Sequence, residues 1–343
     1  MKKILLCLLF SAFQPFNPSA FSAAPDFDRQ AALDAKQDKI TIAYDGILPN
    51  RHVGDVVPRV LPDGRIAIYF ATGGDSEPSP LNFMAVVHSE DDGDTWTPMQ
   101  MLDANIKRTG INIGQLPTEA IVTGNTITLF FSTYAGHLKD SWRSWLVRSD
   151  NNGKTWGSPE LLPERLGATT FVRSHIIAQN KNIVVPFQHY LGDLKDNNGN
   201  VLRRNKGNET IPYPTPYKNS RNGVLISADG GKTYTEHGNI KLPIPGDTAL
   251  WAENTIAELE PGHIVMLIRP ERNRGKPTFL YRADSFDGGK TWPDTATKTD
   301  IPNPSSKTLL LRINEHTTAL LHNPNPYNRW PLSLWVSFDG MKT

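Results

Sequence analysis

The sequence predicts an all-β chain, a six-bladed β-propeller whose last blade is incomplete, and three observations carry that expectation. A box of the form Ser-x-Asp-x-Gly-x-Thr-Trp occurs five times, at 89–96, 149–156, 227–234, 285–292 and 337–343, the last cut before its aromatic. Successive boxes start 52 to 78 residues apart, which is room for about four short strands and their turns. Ahead of each box lies a pair of short apolar runs joined by a tight turn, so one hairpin and one box make a four-stranded unit. Arranged in a circle, such units leave only short sheet edges to protect.

Taken in order, the chain opens with Met1-Lys2-Lys3, an apolar run to Phe10 and the small residues Ser22-Ala23-Ala24. That is the pattern of a signal peptide over residues 1–24, and it predicts an exported protein, periplasmic or extracellular. Residues 25–343 form the expected propeller domain. Lys39–Tyr44 reads as a strand that could close the ring from outside. The hairpins turn at Asp63-Gly64, Gly124-Asn125, Asn180-Lys181, Pro261-Gly262 and Asn314-Glu315. Leu191–Ser220, rich in Asn, Gly, Pro, Lys and Arg without an apolar period, reads as a long surface loop. In the boxes, Asp or Asn bonds its own backbone and Gly supplies a positive φ, so each box is a fold element rather than a catalytic one.

Bulk chemistry narrows the partners. A net charge of +1 over 343 residues gives no electrostatic footprint for nucleic acid or an anionic membrane. No stretch after the signal approaches the roughly 20 apolar residues of a membrane span. The one cysteine, Cys7, lies in the signal segment, so the mature chain has no thiol chemistry.

Direction alternates along a four-stranded meander, which places the inner-strand starts and the loops after second strands on one face and the boxes on the other. That face collects Arg51 to Asp55, Asp75 and Glu77, Arg173 and His175, Trp251 to Asn254, and Ser305 to Lys307. Glu253 and Arg269 stand at the two ends of one hairpin, where antiparallel pairing brings them together. Such a pair is either a structural salt bridge or an anion-gripping arginine beside a carboxylate that polarises a reacting group.

These boxes are similar to the Asp boxes of sialidases. Glu253-Asn254, Glu258-Leu259, Gly262 and Arg269 resemble the sialidase hairpin that carries a catalytic glutamate and a substrate-binding arginine. Arg329-Trp-Pro-Leu-Ser-Leu-Trp-Val-Ser337 resembles the strand that begins with a further arginine of that site. Within the superfamily the likeness is to bacterial sialidase-like proteins with BNR repeats. It implies an exo-acting glycoside hydrolase that cleaves a terminal acidic sugar, sialic acid or similar, from a glycan, with no metal or organic cofactor. Arg269 and Arg329 would hold the sugar carboxylate, Glu253 would assist a tyrosine nucleophile lying beyond residue 343, and Asp75 or Glu77 would protonate the leaving oxygen. The Phe-Arg-Ile-Pro run that supplies the first arginine is absent. Its place falls near Gly54, leaving Arg51 or Arg59 to substitute. Arg173, His175 and His52 are additional rim residues. They leave open a polysaccharide lyase, a uronic-acid or rhamnose-type glycosidase, or a non-catalytic carbohydrate-binding propeller.

Overall fold

In a computed structural model, the described residues are 41–46, 48–77, 79–102, 114–134, 143–162, 169–172, 174–190, 203–206, 209–212, 220–243, 252–270 and 276–341. Residues 1–24 and Arg173 lie outside them. The described residues are all strand, turn and loop, and they form five blades.

Blade 1 is β1 (Val53–Val60), β2 (Ile66–Thr72), β3 (Phe83–Ser89) and β4 (Gln100–Met101), and blade 2 is β5 (Gly114–Thr123), β6 (Thr126–Tyr134), β7 (Arg143–Ser149) and β8 (Glu160–Leu161). Blade 3 contains β9 (Thr169–Val172), β10 (Ile176–Ile177), β11 (Ile183–Tyr190), β14 (Ser220–Ser227) and β15 (Thr235–Ile240). Blade 4 is β16 (Asn254–Glu260), β17 (His263–Ile268), β18 (Phe279–Ser285) and β19 (Thr297–Pro302), and blade 5 is β20 (Leu309–Arg312), β21 (Thr318–His322) and β22 (Ser333–Ser337). Neighbouring strands are antiparallel throughout.

Two expectations change. The insertion holds a separate two-stranded hairpin, β12 (Arg203–Lys206) with β13 (Glu209–Pro212), Lys206 pairing with Glu209. Residues 41–44 are not a strand; they lie against blade 1, where the Thr41 hydroxyl donates to Gly93 O at 2.6 Å and Tyr44 meets Phe70 at 5.0 Å between ring centroids.

Period-2 alternation makes each middle blade apolar on both faces. On β6, Ile127, Leu129 and Phe131 pack with blade 1, while Phe130 packs with blade 3. On β17, Ile264, Met266 and Ile268 meet blade 3, and Val265 and Leu267 meet blade 5. Full burial of each such side chain stabilises the stack by about 1.5–3 kcal/mol.

Each box is a closed hydrogen-bonded turn. In the fourth, the Ser285 hydroxyl donates to Asp287 Oδ1 (2.8 Å), which also accepts from Lys290 N (3.0 Å) and Thr291 N (2.9 Å), while Oδ2 accepts from the Thr291 hydroxyl (2.7 Å). Gly289 N returns to Ser285 Oγ at 2.9 Å with φ +91°, a left-handed conformation that suits glycine. In the fifth box Met341 takes that place at φ 62° and keeps the bond to Ser337 Oγ. The box aromatics pack backward: Trp156 on Tyr69 of blade 1 and Tyr234 on Phe130 of blade 2, both edge-to-face.

Polar clasps near the axis join successive inner strands. Arg59 Nε donates to Ala120 O at 2.6 Å and its Nη2 pairs with Glu119; His175 N donates to Glu119 Oε2 at 3.2 Å. Gln179 N reaches Glu258 Oε2 at 2.6 Å, and Leu310 N reaches Thr255 Oγ1 at 2.9 Å.

Candidate active site

The face opposite the boxes holds two guanidinium groups that meet on one residue, Ser305, and an acid paired with one of them. Glu253 immediately precedes β16 and Arg269 immediately follows β17, and the ladder continues past both strands through Arg269 N to Glu253 O at 2.9 Å. Both side chains are buried, and Arg269 Nε donates to Glu253 Oε2 at 2.5 Å. The expected pair therefore forms, as a buried ion pair rather than an open rim contact. Arg269 Nη1 also donates to Ser305 O at 3.0 Å and to its hydroxyl. Arg329, exposed ahead of β22, donates from Nη2 to the same Ser305 carbonyl at 2.8 Å.

Local sequence explains this convergence. Ser305 sits at φ 63°, inside a turn where Asn303 Oδ1 accepts from Ser306 N (3.0 Å) and Asn303 Nδ2 donates to Ser306 O (3.2 Å). A left-handed serine is costly, and here it directs one carbonyl at two arginines. Asn323 Nδ2 donates to Arg329 O (3.1 Å) and Pro331 O (2.9 Å), fixing the loop that presents Arg329.

Blade 1 contributes the acid side. His52 Nε2 lies 3.3 Å from Glu77 Oε2, and Lys307 Nζ lies 2.6 Å from Asp55 Oδ1 and 4.0 Å from Glu253 Oε1. The Asp55–Lys307 pair thus bridges the first and fifth blades beside Glu253. Asp55 is itself left-handed, at φ 45°. A Cβ at Gly54 would fall 2.7 Å from His52 Nε2 and 2.9 Å from Glu77 Oε2, so a side chain there would displace the ends of both. Desolvation, followed by repulsion from Asp55, raises the Glu77 carboxyl above the ordinary glutamate range, against the pull of His52 and Lys307. A carboxyl that keeps its proton longer is suited to general acid work.

The remaining sequence candidates fall elsewhere. Asp75 is exposed on the loop after β2, outside the Glu77–His52 contact. Arg51 is exposed, and Arg59 is committed to Glu119, Ala120 and Pro58, so Arg59 is a clasp between blades and not a free anion binder. His175 faces the same buried Glu119, Nδ1 to Oε1 at 3.5 Å, which joins it to that clasp instead of to the Glu253 pair. Arg173 lies outside the described residues. Asp55, Ser305 and Lys307 were legible as rim positions but had no assigned part; a charged residue beside Gly54 and the Asn-Pro-Ser-Ser run were their only marks.

Among the described tyrosines, Tyr69, Tyr134, Tyr234 and Tyr281 are pushed up by burial, Tyr234 to about 12, the reverse of an activated nucleophile. Among the described residues, no group of three His, Cys, Asp or Glu is placed to hold a metal ion, and no helix is long and apolar enough to cross a membrane. An open groove of about 820 Å³ lies at the box end of blade 4, lined by Arg282, Asp284, Phe286, Trp292 and Lys298, on the face opposite Glu253.

Comparison with known proteins places this geometry in context. A family model described as a BNR repeat-like domain matches residues 115–343. A sialidase of Paraclostridium sordellii is 28% identical over 226 residues, covering 60% of this chain and 48% of that protein. A sialidase of Bacteroides fragilis (strain YCH46) is 22% identical over 283 residues, covering 74% of this chain and 46% of the relative. The chain thus spans about half the length of the curated relatives it matches. Among solved structures, the Hadza microbial sialidase Hz136 superposes with a TM-score of 0.62 at 16% identity, over 86% of this chain and 57% of that one. The Trypanosoma rangeli sialidase with 2,3-difluorosialic acid, a covalent intermediate, gives 0.56 at 19% identity, over 84% and 47%. The fold is that of a sialidase-like propeller.

Proposed function

This chain belongs to the BNR repeat-like domain family, and from that premise we propose that it is an exo-acting glycoside hydrolase of the sialidase type. Its substrate is a glycan ending in an acidic sugar, sialic acid or a close analogue. The observation that carries the reading is the meeting of Arg269 and Arg329 on Ser305 O with Glu253 bonded to Arg269. Two guanidinium groups on one point recognise a planar carboxylate through charge-assisted bonds. Glu253, paired with Arg269, takes a proton from a tyrosine hydroxyl as that oxygen attacks the anomeric carbon. Glu77 gives its proton to the departing glycosidic oxygen and is preferred to Asp75, because His52 lies against it at 3.3 Å and its carboxyl is raised. The same carboxylate then removes a proton from the water that releases the sugar.

We further propose export behind the 1–24 signal and a ring completed by a sixth blade. Packing supports the sixth blade. Trp96, the first box aromatic, packs backward onto Thr41–Tyr44, donating to Thr41 Oγ1 at 3.2 Å, as later box aromatics pack onto the blade before them. Val56 and Val60 of β1 and Leu311 and Ile313 at β20 remain exposed, as apolar faces awaiting a neighbour.

The test is release of the fluorophore from a 4-methylumbelliferyl α-sialoside. Appearance of free sialic acid supports the reading. An unsaturated chromophore from a uronate polymer would instead identify a lyase, and sugar binding without turnover a binding propeller.

A further inference from the structure

We propose that Lys307 is the third cation of the carboxylate site, standing where the absent first arginine would act. This rests on the acidic-sugar reading above and adds a specificity-determining residue to it. The arginines considered for that part fit it less well: Arg59 spends Nε, Nη1 and Nη2 on Ala120, Pro58 and Glu119, and Arg51, on the chain entering blade 1, is not among the groups bonded to Glu253 or Ser305 in the described residues. Lys307 is two residues from Ser305, the carbonyl on which Arg269 and Arg329 meet. Its ammonium reaches inward to 2.6 Å from Asp55 and 4.0 Å from Glu253, yet 56% of its side-chain surface is exposed. It is therefore inside the charged set and open to solvent.

The chemistry of an ammonium permits both contacts at once. It carries three N–H donors; Asp55 takes one, and the others can meet an incoming carboxylate without breaking that pair. Asp55, held at φ 45° beside Gly54, then acts as the anchor that aims the flexible lysine stem. Strain of this kind at a cleft is consistent with a positioning part. A compact ammonium in place of a fork-shaped guanidinium makes one point contact, not a bidentate one, so this site grips the acid through two forks and a point.

The experiment measures binding of N-acetylneuraminic acid and of its methyl ester by calorimetry, with thermal midpoints recorded for every variant. Wild-type protein favours the acid. In Lys307→Met the acid weakens about ten- to hundredfold, the loss expected for one hydrogen bond to a charged group, while the ester is unaffected, so discrimination shrinks. Asp55→Asn removes the ion pair but leaves an Oδ1 to accept from the ammonium, so discrimination falls far less than in Lys307→Met. If Asp55→Asn loses discrimination as fully as Lys307→Met, the lysine is only a clasp and the assignment is overturned. It is equally overturned if Lys307→Met keeps full discrimination while Arg329→Met loses it. Should wild-type protein fail to prefer the acid and Arg269→Met change nothing, the acidic-sugar reading itself falls, and this inference with it.

Discussion

Replacing Asp287 by alanine separates fold from chemistry, because its box lies on the face opposite Glu253. Alanine removes four hydrogen bonds. The donors Lys290 N, Thr291 N and Thr291 Oγ1 are near solvent, and exchanging the carboxylate for water costs about 0.5 kcal/mol each. Ser285 is only 1% exposed, so losing its acceptor costs about 1–2 kcal/mol more. The expected loss is about 3 kcal/mol, read as a lowered unfolding midpoint, with kcat/KM unchanged at temperatures where the variant is folded. The protein supplies its own control. In the second box Asn151 Oδ1 accepts from Ser149 Oγ (3.0 Å) and Thr155 N (2.9 Å), its Nδ2 donates to Thr155 Oγ1 (2.7 Å), which reverses the threonine bond, and Lys154 N turns to Asn151 O (3.4 Å). Asp287→Asn should therefore cost less than about 1 kcal/mol. Acid adds a signature. Burial alone would raise the Asp287 carboxyl, but bonds from Thr291, Ser285 and Lys290 outweigh it and hold the group at about 2, below its ordinary 3.8. Stability from a depressed carboxyl is present above the unfolded pKa and lost as pH falls from about 4 toward 2, and Asp287→Asn removes that part. Equal losses for Ala and Asn would refute the hydrogen-bond account. A stable but inactive Asp287→Ala would refute the assignment of faces.

Further substitutions bear on the site. Glu253→Gln should lower turnover at least about a hundredfold. Because Arg269 is buried, it should also cost stability, though less than the roughly 3–5 kcal/mol of deleting a partner outright; unchanged kcat/KM removes Glu253 from the reaction. Gly54→Ala should push His52 and Glu77 apart and slow cleavage of natural glycosides far more than of aryl glycosides with good leaving groups; a uniform effect on both would show that Glu77 is not the acid. Glu77→Gln should abolish the alkaline limb of the pH profile, which the raised carboxyl otherwise places above the usual carboxylate range; persistence of that limb assigns it to another group.

Repetition made the fold legible. Each box fixes a turn through its own side chains, so Ser285 to Trp292 could be read without knowing what surrounds it. The Glu253–Arg269 contact was legible for the same reason, since both ends belong to one hairpin whose register the Pro261-Gly262 turn sets. What stayed hidden depends on contacts between blades. Arg59 reads as a candidate anion binder until Glu119, sixty residues on, is seen to consume it, and His175 is drawn to the same carboxylate. Asp55 and Lys307 lie 252 residues apart, and no local pattern foretells their pairing. Ser305 was hidden differently, because its part is played by a carbonyl whose direction comes from a left-handed φ that sequence seldom announces outside glycine.

The most direct test is a structure of the protein with the 2,3-dehydro analogue of sialic acid bound. We expect its carboxylate within hydrogen-bond distance of Arg269 and Arg329, with the glycosidic carbon between Glu253 and Glu77. A sugar seated in the groove at the box end of blade 4, or turned so that its carboxylate meets neither arginine, would contradict the account.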